Sequence, residues 1–358
     1  MAKSPSTLLK VLIMSNYFEN LFGNRVFFIA EIGGNFSDYD TGAKLIDLAM
    51  QSGADAVKIQ TYKASTLSSR KAMFSSDGMI FTGDVSQYES FEKYQIDDDV
   101  QKKLFEYAQS NNVLMFSTPS HYSDCVVLER LNCPIYKIGS DDVTNIPFLR
   151  EVASIGKPMI LSTGMSTMEE VKEAVDAILS AGTSDICVLH CVTNYPAEYE
   201  SANLLSIRSM IEVFKSIPIG FSDHSVHDEL VLAAVVLGAK VIEKHFTYDK
   251  NADGPDHPIS LLPQEFKNMI GKVRNIEIAL GDGIKRPAKT EATTKKNNRK
   301  SIVMTRSLKQ GEPITEGSFA VKRPGFGIEP KYASSLVGRI LARDIDEDDV
   351  LLWDHLKR

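Results

Sequence analysis

At 358 residues the chain exceeds the usual range of a single hydrophobic core, so one large domain with a smaller companion is expected. Hydrophobic residues make up 43% and charged residues 24%, an ordinary globular balance, and the formal charge of −7 disfavours a chain built to coat nucleic acid or an anionic membrane. No apolar run approaches the roughly 18–20 residues of a membrane span, and no small-residue cleavage site cleanly follows the short stretch Leu8–Met14, so neither an anchor nor a signal peptide is expected.

After an N-terminal extension (1–25), one theme repeats from Val26 to about Leu280: a short apolar or β-branched run, then helical periodicity. In chain order the spacing predicts strand Val26–Ile32, helix Thr41–Ser52 and strand Ala56–Gln60. From Thr61 to about Asp98 apolar periodicity lapses, and a connection this long reads as a functional excursion over the mouth of the fold. Strands Val113–Ser117, Ile135–Ile138 and Pro158–Ser162 follow, then helix Met168–Ala181, strand Ile186–His190 and helix Leu204–Lys215. Strand Ile217–Phe221, helix Asp228–Leu237 and strand Lys240–His245 complete the series. Alternating units imply a parallel sheet, and eight of them in ~250 residues match a closed (β/α)₈ TIM barrel over 26–280. An open doubly wound sheet is disfavoured, because no G-x-G-x-x-G follows the first strand.

The stretch 281–300 is polar and basic and reads as a solvated linker. Beyond it, residues 301–358 are punctuated by Gly311, Pro313, Pro324, Gly325, Gly327 and Pro330, which suits a small, turn-rich, β-rich domain. Cys125, Cys133, Cys187 and Cys191 contain no C-x-x-C pair, so reduced, mostly buried thiols and a cytoplasmic location are expected.

A (β/α)₈ barrel carries its active site at the C-terminal ends of the strands. Polar residues recur there: Glu31, Lys58 and Gln60, Thr118, Lys137 and Ser140, Ser162 and Thr163, His190 with Asn194 and Tyr195, Ser222 to His224, then Lys244 and His245. His224 and His245 follow consecutive strands, about 4.8 Å apart, so both imidazoles are within reach of one ion. Lys58, Lys137 and Lys244 put three cations at one rim, which with the hydroxyls of Thr118, Ser140 and Ser222 suits a small molecule bearing phosphate and carboxylate. A Schiff-base aldolase also places a lysine at a strand end, and spacing alone does not separate the two chemistries.

Eight ordered motifs carry a resemblance: A-E-I-G-G-N (Ala30–Asn35), A-V-K-I-Q-T (Ala56–Thr61), S-T-P (Ser117–Pro119), Y-K-I-G-S (Tyr136–Ser140), S-T-G-M (Ser162–Met165), G-F-S-D-H (Gly220–His224), E-K-H-F-T (Glu243–Thr247) and G-P-D-H (Gly254–His257). Together they resemble the sialic acid synthase family, which includes N-acetylneuraminate, legionaminate and pseudaminate synthases. The last segment, with R-P-G-F-G (Arg323–Gly327), is similar to the antifreeze-like (SAF) domain that ends those enzymes.

The resemblance implies that phosphoenolpyruvate is condensed with N-acetylmannosamine or a related N-acylated amino sugar, releasing phosphate. It matches His224 and His245 to ligands of a divalent metal ion, Mn²⁺ first, with Mg²⁺ or Co²⁺ as alternatives. Lys58, Thr118, Lys137, Ser140 and Ser222 match residues that hold phosphoenolpyruvate, and Glu31, Gln60 and Asp256 match polar residues near the metal and sugar. Arg323 matches an arginine given to a partner's site in a domain-swapped homodimer. Two positions depart from the pattern: Asp142 stands where many relatives carry a glutamate, and Thr193 stands where relatives often carry asparagine, with Asn194 next to Tyr195. In the implied mechanism Glu31 activates the water and Asp256 handles the proton of the aldehyde oxygen. The alternatives are a synthase for sugar phosphates, for which no second cationic cluster is evident, a Schiff-base sugar-acid lyase, and a non-enzymatic carbohydrate-binding barrel.

Overall fold

The computed structural model describes residues 17–74 and 85–357, so Leu8–Met14 and most of the N-terminal extension lie outside the described residues. The chain divides into two compact units, 1–281 and 282–358.

In the first unit eight parallel strands close a barrel. They are β1 (Phe27–Glu31), β2 (Ala56–Thr61), β5 (Met115–Pro119), β6 (Tyr136–Ile138), β7 (Met159–Ser162), β8 (Ile186–Cys191), β9 (Ile219–Asp223) and β10 (Val241–His245), with a two-stranded ribbon of β3 (Met73–Phe74) and β4 (Val85–Ser86) intervening. Going round the barrel the order is β1, β10, β9, β8, β7, β6, β5, β2. Nearly every strand residue is buried, because the barrel interior covers one face and the helices cover the other; this is why the strands read as continuous apolar runs. All eight predicted strands form.

Two strands begin two residues later than their sequence suggests. Val113 N–H bonds to Ala108 O at 2.8 Å, closing the helix Asp98–Ser110, and Asn112 adopts φ 55°, so β5 starts at Met115. Ile217 N–H likewise closes a turn on Phe214 O at 2.8 Å before β9 begins at Ile219. The helix Met168–Ala181 spans the predicted residues; Thr167 caps it reciprocally with Glu170.

The excursion after β2 is richer than its sequence implies. It contains the helices Ala64–Leu67 and Gln87–Tyr94 and the β3–β4 ribbon, while residues 75–84 lie outside the described residues. Phe91 packs edge-on against Tyr62 and Phe74, with centroids 5.5 and 5.9 Å away. Tyr94 OH and Lys93 Nζ reach Asp253, each 3.0 Å from one of its carboxylate oxygens, so the excursion crosses the C-terminal mouth to the loop after β10.

The second unit pairs β11 (Ser301–Met304) antiparallel with β12 (Phe319–Lys322) over a small aliphatic core that includes Ile302, Met304, Ile314, Leu336 and Leu351. The basic run that precedes β11 is exposed and carries a short helix, Ala292–Asn298. All four cysteines are free and buried. Among the described residues no helix is long and apolar enough to cross a membrane.

Candidate active site

The inward-facing residues at the strand ends meet in one buried network. Lys58 on β2 forms an ion pair with Glu31 on β1, lies 3.4 Å from Glu243 Oε1 on β10, and donates to Thr118 Oγ1 at 3.2 Å. Lys137 on β6 lies 3.6 Å from the same Glu243 oxygen and donates to Ser162 Oγ at 2.6 Å. Ser222 donates to Glu243 Oε1 at 3.1 Å, so one carboxylate oxygen is shared by two ammonium groups and a hydroxyl. The Gly33 amide donates to the other partner of Lys58, Glu31 Oε1.

Glu243 is absent from the sequence-derived set, and Lys244 does not belong with the rim cations. Strand side chains alternate, so Glu243 and His245 share the interior face while Lys244 points the other way and pairs with Asp223. The signal lay in E-K-H itself: once His245 is taken as inward, period two requires Glu243 inward as well.

Electrostatics follow from burial and these pairs. Burial opposes the charged form of Glu243, but Lys137 and Lys58 outweigh it and hold the carboxyl below its ordinary value. Burial likewise pulls against Lys58, yet Glu243 and Glu31 raise it. Glu31 is pushed up, first by burial, with Lys58 opposing and Glu243 adding to the rise. Lys137 is lowered by burial, with Glu243 only partly compensating. The site therefore holds one firmly ionised carboxylate, one more easily protonated, and two ammonium groups of unequal basicity.

Beside this network stand the histidines, with ring centroids 5.4 Å apart. His224 Nδ1 donates to the Val192 carbonyl at 2.8 Å; burial opposes the charged form of His224, but Cys191 and that carbonyl outweigh it and raise the imidazole above its ordinary value. Tyr195 stacks on His224 at 4.1 Å and meets His245 edge-on at 6.0 Å. His245 Nδ1 is buried without a hydrogen-bond partner and lies 3.5 Å from Asp256 Oδ2. Burial, then the neighbouring His224, holds His245 well below the usual imidazole range, so its ring stands neutral. Burial, then the charge of Glu31, raises Asp256 to about 7. Asp256 lies so close over Gly34, at φ +75°, that a side chain at that position would collide with its carboxylate.

Two imidazoles at neighbouring strand ends, one with a buried and unpartnered nitrogen, would suit a divalent cation of the Mn, Fe, Co or Zn type. Among the described residues no three His, Cys, Asp or Glu side chains gather around a single point. Were an ion to bind here, His224 and His245 would be its nitrogen ligands and the remaining positions would fall to water or a substrate oxygen.

The remaining expected residues separate. Thr193 Oγ1 is buried without a partner and meets Gly164 so closely that a Cβ there has no room; Ser140 Oγ accepts from the Gly164 amide at 2.9 Å. Asn194 is exposed, so of the two candidates it is Thr193 that lies beside Ser140. The Gln60 side chain packs against Gly33 at the end of β2. Asp142 stands apart from the charge network, accepting from Asn145 Nδ2 at 2.8 Å; burial raises it to about 6, against the pull of that amide. Arg323 belongs to the second unit, is exposed, and makes no side-chain hydrogen bond or ion pair among the described residues.

Comparison with known proteins supplies the family. The model of the NeuB family matches residues 45–285 and that of the SAF domain matches residues 299–357. The chain is 39% identical to the N,N'-diacetyllegionaminic acid synthase of Campylobacter jejuni, over 90% of this chain and 98% of that one. It is 34% identical to the N-acetylneuraminate-9-phosphate synthase of Mus musculus, with 92% of each chain covered. Among solved structures, the N-acetylneuraminic acid synthetase of Leptospira borgpetersenii, in complex with citrate, superposes with a TM-score of 0.66 at 31% identity, covering 76% of this chain and 91% of that one. A closed eight-stranded barrel with its polar strand ends converging, followed by a small SAF domain, agrees with each of these matches, and the chain belongs to the NeuB family, whose named relatives here are sialic, legionaminic and pseudaminic acid synthases.

Proposed function

We propose that this chain condenses phosphoenolpyruvate with the open-chain aldehyde of N-acetylmannosamine or a related N-acylated amino sugar, giving a nonulosonic acid and free phosphate. The observation that carries the reading is the pair Lys58 and Lys137, bridged by Glu243 and ringed by Thr118, Ser162 and Ser222 hydroxyls beside the His224–His245 pair. Two ammonium groups and several hydroxyls suit one phosphate and one carboxylate on a three-carbon skeleton.

In this reading Lys58, Lys137, Thr118 and Ser222 anchor phosphoenolpyruvate, and Ser140 with Thr193 extends the anion site towards Gly164. A divalent ion bound by His224 and His245, Mn²⁺ in first place and Mg²⁺ or Co²⁺ as alternatives, would supply Lewis-acid polarisation of the aldehyde oxygen. The enol carbon attacks the aldehyde carbon, and Asp256 gives a proton to the oxygen that becomes a hydroxyl. Glu31 orients and deprotonates the water that adds to the resulting oxocarbenium carbon, after which the carbon–oxygen bond to phosphate breaks. Gln60, Asp142 and Tyr195 line the acceptor side.

Assembly forms part of the proposal. Residues 282–358 carry 16 Lys and Arg against 11 Asp and Glu, a net +5, which leaves −12 on residues 1–281. Such complementarity favours a homodimer in which the basic unit of one copy meets the acidic barrel of another and Arg323 completes its sugar site. The test is a phosphate-release screen of N-acetylmannosamine and the diacetamido-trideoxyhexoses, with Mn²⁺ or Mg²⁺ supplied. Release that requires a sugar, phosphoenolpyruvate and metal together is expected; no release with any sugar sinks the reading.

A second reading, a Schiff-base lyase, draws on the lowered basicity of buried Lys137. In an electrostatic role Lys137→Arg retains measurable phosphoenolpyruvate binding. A lysine–substrate adduct trapped by borohydride favours the lyase instead.

A further inference from the structure

Behind the two histidines lies a buried ion pair that no step of the proposed reaction uses. Lys244 and Asp223 are partners in register across β10 and β9, and their side chains are 1% and 0% exposed. They occupy the outer face of strands whose inner face carries Ser222, Glu243 and His245. Lys244 Nζ also donates to the Ser225 carbonyl and lies 3.4 Å from Ser225 Oγ. Asp223 Oδ1 accepts from the Ser225 amide at 2.9 Å, and Ser225 Oγ lies 3.0 Å from both Asp223 Oδ2 and the His227 carbonyl.

Burying such a pair is a poor way to gain stability, because apolar residues of similar volume often hold a fold as well or better. What charges supply and methylenes do not is direction. One ammonium draws the carboxylate before His224 and the carbonyl after it to a single point. That point is carried on the residue immediately preceding His245, so the backbone on both sides of one histidine is clamped to the strand of the other.

We infer that Asp223, Ser225 and Lys244 are positioning residues that set the separation of the His224 and His245 rings, and with it the affinity of the pair for a divalent cation. The inference rests on the metal reading of the site. A neutral pair, Asp223→Asn with Lys244→Gln, keeps an acceptor for the Ser225 amide and a donor for its carbonyl while removing the charges. Ser225→Ala, which leaves the ion pair in place, provides a milder variant should the first fail to fold. Mn²⁺ binding to the full-length, metal-stripped protein is measured by titration calorimetry well below the melting temperature, beside the melting curve itself. The dissociation constant of the neutral pair is expected to rise tenfold or more in protein that still melts cooperatively, with a smaller rise for Ser225→Ala. A purely structural role predicts a lower melting temperature with the constant unchanged, and that result in either folded variant overturns the inference. Wild-type protein that takes up no Mn²⁺, or uptake undiminished in His224→Ala, overturns the metal reading itself. Uptake abolished by His224→Ala but retained by both positioning variants overturns this inference alone.

Discussion

Glu243 Oε1 lies 3.4 Å from Lys58 Nζ, and the two groups come from strands on either side of β1, with no neighbouring strand pairing between them. The carboxylate thus acts across the barrel interior, and it reaches Lys137 from the same atom.

Removing that charge should be costly. Glu243→Gln leaves Lys137 without its carboxylate, and breaking a buried pair of this kind costs about 3 kcal/mol. The variant should show a lower urea midpoint and a raised KM for phosphoenolpyruvate. Wild-type values of both would mean that the lysines need no internal counter-ion.

The histidines offer a sharper contrast. His224→Ala or His245→Ala should abolish turnover and weaken metal uptake while leaving the barrel folded, since both rings sit at strand ends rather than in the apolar core. Full activity of chelator-treated His245→Ala would remove the metal from the mechanism.

Asp142 makes a pH-dependent prediction. Its folded value of about 6 exceeds the ordinary 3.8, so the folded state prefers the protonated form. The stability this preference adds is present in full below about 3.8 and lost as pH rises through about 6. Asp142→Asn mimics the neutral form and escapes the loss, so its advantage over wild type should grow between pH 4 and pH 7. Urea midpoints measured across that range check this; two parallel curves would mean that burial does not shift the group.

Subunit mixing tests the place of Arg323. Arg323→Ala and Lys58→Ala proteins should each be inactive, because one lacks the sugar contact and the other an anchor of phosphoenolpyruvate. If the arginine acts across an interface, exchange of subunits restores one intact site in each mixed dimer, so up to half the sites in mixed dimers recover. No recovery, with exchange demonstrated by differential tagging, would place the arginine in its own chain's chemistry or outside the reaction.

The eight-fold alternation and the polar strand ends were legible in the sequence because both are local. Residues such as Phe28, Ile29, Val57 and Ile59 are buried on one face or the other, so a parallel barrel strand reads as an unbroken apolar run wherever it begins. Glu31, Lys58, Lys137, Ser222 and His245 stand out because a charged or polar group closing such a run needs a reason to be buried. The helix Gln87–Tyr94 was not legible: its anchors, Tyr62 and Phe74, lie outside its own periodicity. Local pattern put Glu243 on the face of His245, but it did not tell which partners that face meets, or whether Thr193 or Asn194 meets Ser140. Strand formation is a property of neighbouring residues, whereas the phase of each strand about the barrel axis exists only once all eight have closed. Closure turns Glu243 towards two lysines from strands that do not pair with its own and hands Lys244 to Asp223 on the other side of the wall.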